Sequence, residues 1–323
     1  MLQRRYTHMV CPLIKKGSVL LCLPFFLLAL AGCTSVSLPD RDYLAEQNVP
    51  SQHVIQSVPV IPQDDHYCGP AALATIAQFN GRSMPQDEAA EMVYTPGRRG
   101  TFQHDIVSAI QRSGLLAVPV NSPEELIEEL ASDHPAIIFQ NLGLAWYPVW
   151  HYSVIAGYDL PESKLLVHGG TEEAQWKSFS TVGKTWKRTG YWGYIAVPVG
   201  SSTPTASEEE LLQATAGLEA AGFQDKATQS YKTVLKTYPH SYGALFGLGN
   251  IAMTDKKYAA AENYYRRALK INPQHAYSLN NLTYSLAKQG KTKEGCAILS
   301  KHLADDTQEH SDELQNTYSE LCE

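Results

Sequence analysis

Residues 63–75 read Gln-Asp-Asp-His-Tyr-Cys-Gly-Pro-Ala-Ala-Leu-Ala-Thr, and this stretch decides how the chain is read. Cys68 stands just before Gly69-Pro70, a pair that suits a helix start, because the missing proline N–H would go unpaired in the first turn anyway. Ala71, Ala72, Leu73 and Ile76 continue at helical spacing. A thiol is a weak nucleophile until it ionises, and a helix N-terminus stabilises the thiolate through its partial positive charge. Five residues upstream, Gln63 carries an amide able to point at the oxyanion formed during acyl transfer. About 80 residues downstream the chain reads Trp-His-Tyr-Ser-Val-Ile-Ala-Gly-Tyr-Asp over 150–159, where His151 opens an apolar, strand-like run. Taken singly, Cys68 reads as a small buried residue or a turn residue, and His151 as a hydrogen-bonded strand residue. Taken together and in this order, the three point to nucleophilic cysteine chemistry.

With Q-x4-CGPAALA followed by HYxVxxGYD, the chain resembles the bacteriocin-processing (double-glycine) peptidase family of the papain-like fold, and most of all its free-standing relatives without a transporter. The resemblance covers about residues 53–200. It implies Cys68 as nucleophile, His151 as general base and Gln63 as oxyanion donor. The family usually places an aspartate some 16 or 17 residues after the histidine, to hold the imidazole. Here 165–171 read Leu-Leu-Val-His-Gly-Gly-Thr, so His168 occupies that neighbourhood and no carboxylate does. Three readings stay open: His168 or Asn141 orients His151, or Cys68 and His151 work as a dyad, or the site is impaired. A third group orients the imidazole and does not itself react. Asp159 reads as a turn residue.

The first 33 residues carry an address. Arg4, Arg5, Lys15 and Lys16 form a basic start, and Val19–Ala31 is an apolar run of 13 residues, short for a transmembrane helix. It ends in Leu30-Ala31-Gly32-Cys33, which resembles a bacterial lipoprotein signal (1–32) cut before a lipidated Cys33. An uncleaved anchor is the alternative. Thr34, in place of an aspartate, favours the outer membrane by analogy with enterobacterial sorting, with the globular part facing an oxidising periplasm.

The formal charge is −7, and the four basic residues named above lie in the signal, so the remainder carries 22 basic against 33 acidic residues, or −11. With no basic run, nucleic acid is not expected as a partner. Six cysteines sort by place: Cys11 and Cys22 leave with the signal, Cys33 takes lipid, and Cys68 is the candidate nucleophile. Cys296 and Cys322 remain as a candidate disulfide. No CxxC or HExxH spacing occurs, so neither a metal nor another cofactor is expected.

The organisation expected is a spacer (33–52), an α+β papain-like domain (53–200), a polar linker (201–207) and an all-α repeat domain (208–323). Within 53–200, Glu88–Tyr94, Asp105–Ser113 and a capped segment from Asn121 to about Ala131 read as helices. Ala136–Gln140, His151–Tyr158, Lys164–His168 and Tyr194–Val199 read as strands. Trp146 and Trp150 read as packing residues, with the wall of a substrate groove as the alternative; Arg98-Arg99-Gly100 reads as a solvated loop, or one that approaches substrate. Pro239 and Pro273 are 34 residues apart, and that period aligns Ala227 with Ala261 and Tyr231 with Tyr265. This resembles tetratricopeptide repeats, with a third unit from Ala276 through Leu279, Leu282 and Leu286 and a closing helix from about Ser311. The resemblance implies a concave surface for a protein partner; a helical buttress is the alternative.

The leading expectation is a lipid-anchored cysteine peptidase acting on a peptide or protein. A catalytically retired scaffold, or acyl transfer to an amine, are the other readings.

Overall fold

The computed structural model describes residues 39–304 and 311–323, apart from 65 and 171. The expected signal peptide, Cys33 and the first residues of the expected spacer lie outside the described residues. No helix among the described residues is long and apolar enough to cross a membrane.

An α+β domain comes first. Helix α1 (Arg41–Glu46) is capped by the Asp40 carboxylate, which accepts from the N–H groups of Asp42 and Tyr43. Strand β1 (Gln52–Val54) follows. Helix α2 (Cys68–Phe79) is buried from Gly69 through Ala77, as an apolar central helix must be. Helix α3 (Gln86–Val93) runs into a short hairpin, β2 (Tyr94–Thr95) and β3 (Gly100–Thr101), with Arg98 and Arg99 in the four-residue loop at its tip. Then come α4 (Gln103–Arg112), β4 (Leu116–Pro119) and α5 (Pro123–Ala131). The α5 start is capped: the Ser122 hydroxyl accepts from the Glu125 N–H at 3.1 Å, and the Glu125 carboxylate accepts from the Asn121 N–H at 2.7 Å. Strands β5 (Ala136–Asn141), β6 (Trp150–Asp159), β7 (Lys164–His168) and β8 (Gln175–Ser178), helix α6 (Phe179–Lys187) and strand β9 (Gly193–Val197) complete the domain.

The sheet runs β4-β9-β5-β6-β7-β8, with β1 paired to the far end of β6, and every pairing is antiparallel. Residues directly opposite one another share a face of the sheet. Gln140 lies opposite His151, Phe139 opposite Tyr152 and Val154 opposite His168. One face therefore holds Gln140, His151 and Ser153; the other holds Phe139, Tyr152, Val154 and His168. Helix α6 covers the first, where the Gln140 amide donates to the Thr185 hydroxyl at 2.7 Å. Helix α2 covers the second.

The described part of the expected spacer belongs to the domain. Leu44 is 1% exposed in the main core, and β1 pairs with β6. One leucine and three strand residues are enough to dock a short polar segment, which composition alone reads as loose.

Seven helices follow: α7 (Glu208–Ala220), α8 (Gln224–Thr237), α9 (Tyr242–Thr254), α10 (Tyr258–Ile271), α11 (Ala276–Ala287), α12 (Thr292–Leu303) and α13 (Ser311–Cys322). Ala227 and Ala261 are fully buried, and the two aligned tyrosines pack on glycines: Tyr231 on Gly247, Tyr265 on Gly249. A Cys296–Cys322 disulfide ties α13 to α12.

The expected linker is tied down near its C-terminal end. Thr205 donates its N–H at 3.2 Å and its hydroxyl at 2.6 Å to the buried Glu129 carboxylate, which also meets His134 at 2.7 Å. A buried carboxylate is tolerable only with such donors, so the segment is pinned. Ala214, Leu218, Ala227 and Tyr231 share one core with Ile110 and Leu116, and Lys226 donates to the Gly114 carbonyl at 2.8 Å. The first repeats thus seat beyond the C-terminal end of α4.

Candidate active site

Cys68 is the first residue of α2, and Tyr67 before it makes no side-chain cap, so the helix's leading N–H groups stay open to the thiol. The Phe139 N–H bonds the Trp192 carbonyl at 3.0 Å, on the β9 side. Phe139–Tyr152 is therefore a non-hydrogen-bonded pair of the β5–β6 ladder, and the Tyr152 N–H turns outward from the other edge of β6. The Cys68 sulfur occupies that edge. Burial pushes the thiol up, while the N–H groups of Tyr152, Gly69 and Cys68 itself work against that and favour the thiolate. Gly69 is required here by space: a Cβ would overlap the Thr101 side chain of β3.

Gln63 is held by backbone and by a glycine. Its N–H donates to the Gly170 carbonyl at 3.1 Å, and its side chain fills the space that a Gly170 side chain would take. Gly170 has φ +86°, a conformation glycine adopts without strain. Gln63, Cys68, Tyr152 and His168 line one small cavity.

His151 lies on the opposite face from His168. Burial lowers its imidazole and the nearby Lys177 ammonium adds to this, while the Gly169 backbone carbonyl favours the charged form. Among the described residues no hydrogen bond joins Cys68 to His151; catalytic hydrogen bonds often tighten only with substrate bound.

Neither expected orienting residue reaches His151. His168 turns its Nδ1 to the Pro59 carbonyl at 3.2 Å, and burial lowers its pKa too. The Asn141 Oδ1 accepts from the N–H groups of Gly143 and Val149, both at 3.0 Å, and so closes the loop between β5 and β6. Strand alternation explains both results: His168 and Asn141 lie on the face that α2 covers, and the next position, Gly169, faces His151. Asp159 accepts from the Glu162 N–H at 2.8 Å, as a turn residue does.

Beside Cys68 opens a cleft of about 530 Å³, lined among others by Arg98, Arg99, Phe102, Tyr147 and Trp150. The hairpin tip and Trp150 thus join the site. Trp146 is 80% exposed and does not line the cleft. Sequence reading passed over Thr101, Gly169 and Lys177, whose placement depends on strand register alone.

The sequence profile of the Peptidase_C39 like family matches residues 55–194, and that of the tetratricopeptide repeat matches 242–275. Three solved structures share similarity. A putative C39-like peptidase from Bacillus anthracis is 18% identical, over 45% of this chain and 97% of its own, with a TM-score of 0.39. The peptidase domain of Streptococcus ComA, a bifunctional ABC transporter of a quorum-sensing pathway, is 22% identical over 43% and 98%, with a TM-score of 0.36. A double-glycine-motif protease from an AMS/PCAT transporter, in complex with its leader peptide, is 20% identical over 45% and 96%, with a TM-score of 0.34. A curated protein, the probable biofilm formation methyltransferase WspC of Pseudomonas putida, is 36% identical over 81 residues; the chain matches 19% of its length. By the two family profiles, the chain carries a peptidase C39-like domain followed by a tetratricopeptide repeat.

Proposed function

We propose that this protein is a cysteine peptidase of the bacterial envelope, with Cys68 as nucleophile, His151 as general base and Gln63 as oxyanion donor. The observation that carries the reading is the Cys68 thiol at the start of α2, with three backbone N–H groups around it and Gln63 in the same cavity. Burial favours a neutral thiol and a neutral imidazole at rest. His151 then takes the thiol proton as sulfur attacks the peptide carbonyl, Gln63 and a backbone N–H bind the oxyanion, and the imidazolium protonates the leaving amine. Water hydrolyses the acyl-enzyme. The repeats recruit a protein partner or substrate. Lipid on Cys33 holds the protein on the outer membrane facing the periplasm; the Leu30-Ala31-Gly32-Cys33 ending supports this, as does the Cys296–Cys322 disulfide, a bond that persists in oxidising spaces.

The test is a library of unstructured peptides, with new termini read by mass spectrometry. Termini made by the wild type and absent with Cys68→Ala and His151→Ala support the proposal; identical peptide maps for all three sink it. A second reading, a retired scaffold acting through its repeats, is favoured by one observation: glycine stands at 169, where a carboxylate would face His151.

A further inference from the structure

We infer that the cleft beside Cys68 selects extended peptides in which carboxylate side chains stand next to apolar ones. The inference rests on the peptidase reading and names its substrate class.

One wall is cationic. Arg98 and Arg99 line the cleft, both exposed, and neither makes an ion pair among the described residues. They are not loose surface charges. The β2–β3 hairpin that carries them is pinned where Thr101 packs on Gly69, at the root of the candidate nucleophile. The Arg98 guanidinium lies 5.9 Å from the centre of the Phe102 ring, within cation–π range. Arg99, at φ +48°, closes the turn over 96–99, its N–H donating to the Pro96 carbonyl at 3.1 Å. In a chain of formal charge −7, this is a local concentration of positive charge, and no Asp or Glu among the described residues lines the cleft.

The facing wall is aromatic. Trp150 is 54% exposed and stacks on Phe139 at 5.3 Å, and Tyr147 is 67% exposed on the β5–β6 loop. Asn141 closes that loop through its two hydrogen bonds, so the rings are presented by a built turn. Large exposed apolar side chains grouped at one place mark a binding surface. The cleft volume falls among ordinary ligand sites, roughly 300–1,000 Å³. An extended chain fits a cleft lined by two loops, with carboxylates toward the arginines and apolar side chains against Trp150 and Tyr147.

The experiment is isothermal titration of the full chain carrying Cys68→Ala, so that nothing is cleaved. The probes are the blocked hexapeptide acetyl-Leu-Glu-Phe-Glu-Leu-Gly-amide and its analogue with Gln in place of each Glu. We expect the Glu peptide to bind about five- to tenfold tighter at low salt, since exposed ion pairs contribute modestly. The preference should vanish near half-molar salt, and in Arg98→Gln/Arg99→Gln, which should still bind the Gln peptide. Equal binding of the two peptides, tighter binding of the Gln peptide, or no binding of either overturns the inference. Cleavage of library peptides by the wild type would stand apart from all three results, so loss of this specificity does not pass for loss of the peptidase reading.

Discussion

A Cβ on Gly169 would lie 3.8 Å from the Nε2 of His151, in ordinary contact and with a backbone that accepts a side chain. The same Cβ would be 3.6 Å from Lys177 Nζ and 3.8 Å from Ser153 Oγ. Position 169 is the seat from which a carboxylate would hold this imidazole, and the chain leaves it to a backbone carbonyl.

Gly169→Asp should therefore raise peptidase activity by about tenfold or more, since an orienting carboxylate fixes the tautomer and stabilises the imidazolium. The sign of the accompanying pH effect is defined. In the wild type, burial holds the thiol above and the imidazole below its ordinary value, so iodoacetamide labelling of Cys68 should rise only on the alkaline side of an ordinary thiol. The aspartate raises the imidazole, an imidazolium lowers the thiol, and labelling should extend toward neutral pH. Labelling profiles that superimpose would remove Gly169 from the account.

Gln63→Ala should lower kcat by about 10²–10³ with KM little changed, the effect of deleting one oxyanion donor. Steady-state kinetics on any cleaved library peptide would show it. A change confined to KM would make Gln63 a binding residue.

Gly69→Ala should cost roughly 1–3 kcal/mol, because its methyl overlaps the Thr101 side chain where β3 meets α2. Thermal unfolding measures the loss, and Thr101→Gly in the same chain should recover part of it. Additive losses in the double variant would show that the two residues do not press on each other.

Glu262 makes the repeat stack sensitive to acid. Burial pushes its carboxyl up, but hydrogen bonds from Lys291 at 2.8 Å, Arg266 at 2.9 Å and Gln289 at 3.0 Å outweigh that and bring it down to about 2. A folded-state value below the unfolded one gives stability that is present above pH 4.5 and is lost as pH falls toward 2. Denaturant unfolding of wild type and Glu262→Gln should thus differ at pH 6 and converge near pH 2.

The parts of this protein that rest on local chemistry and on period are legible in the order of its residues. Cys-Gly-Pro begins a helix because proline suits its first turn, and α2 starts at Cys68. Short apolar runs of strand type marked β6 and β7 to within a residue, and the 34-residue period placed Tyr231 and Tyr265 at equivalent buried positions because repeated helix pairs bury repeated faces. Which residues meet is settled by the packing of the whole chain. Leu44 and Thr205 lie in stretches whose composition reads as spacer and linker, and they are docked by one buried leucine and one buried carboxylate far away in the chain. His168 and Gly169 are neighbours in sequence, yet a strand sends them to opposite faces, one into the cavity beneath α2 and one toward His151. Arg98 and Trp150, some 50 residues apart, wall one cleft only because a hairpin packs on α2 and β6 runs beneath it. Side-chain period is local and legible; the register between strands depends on the packed whole.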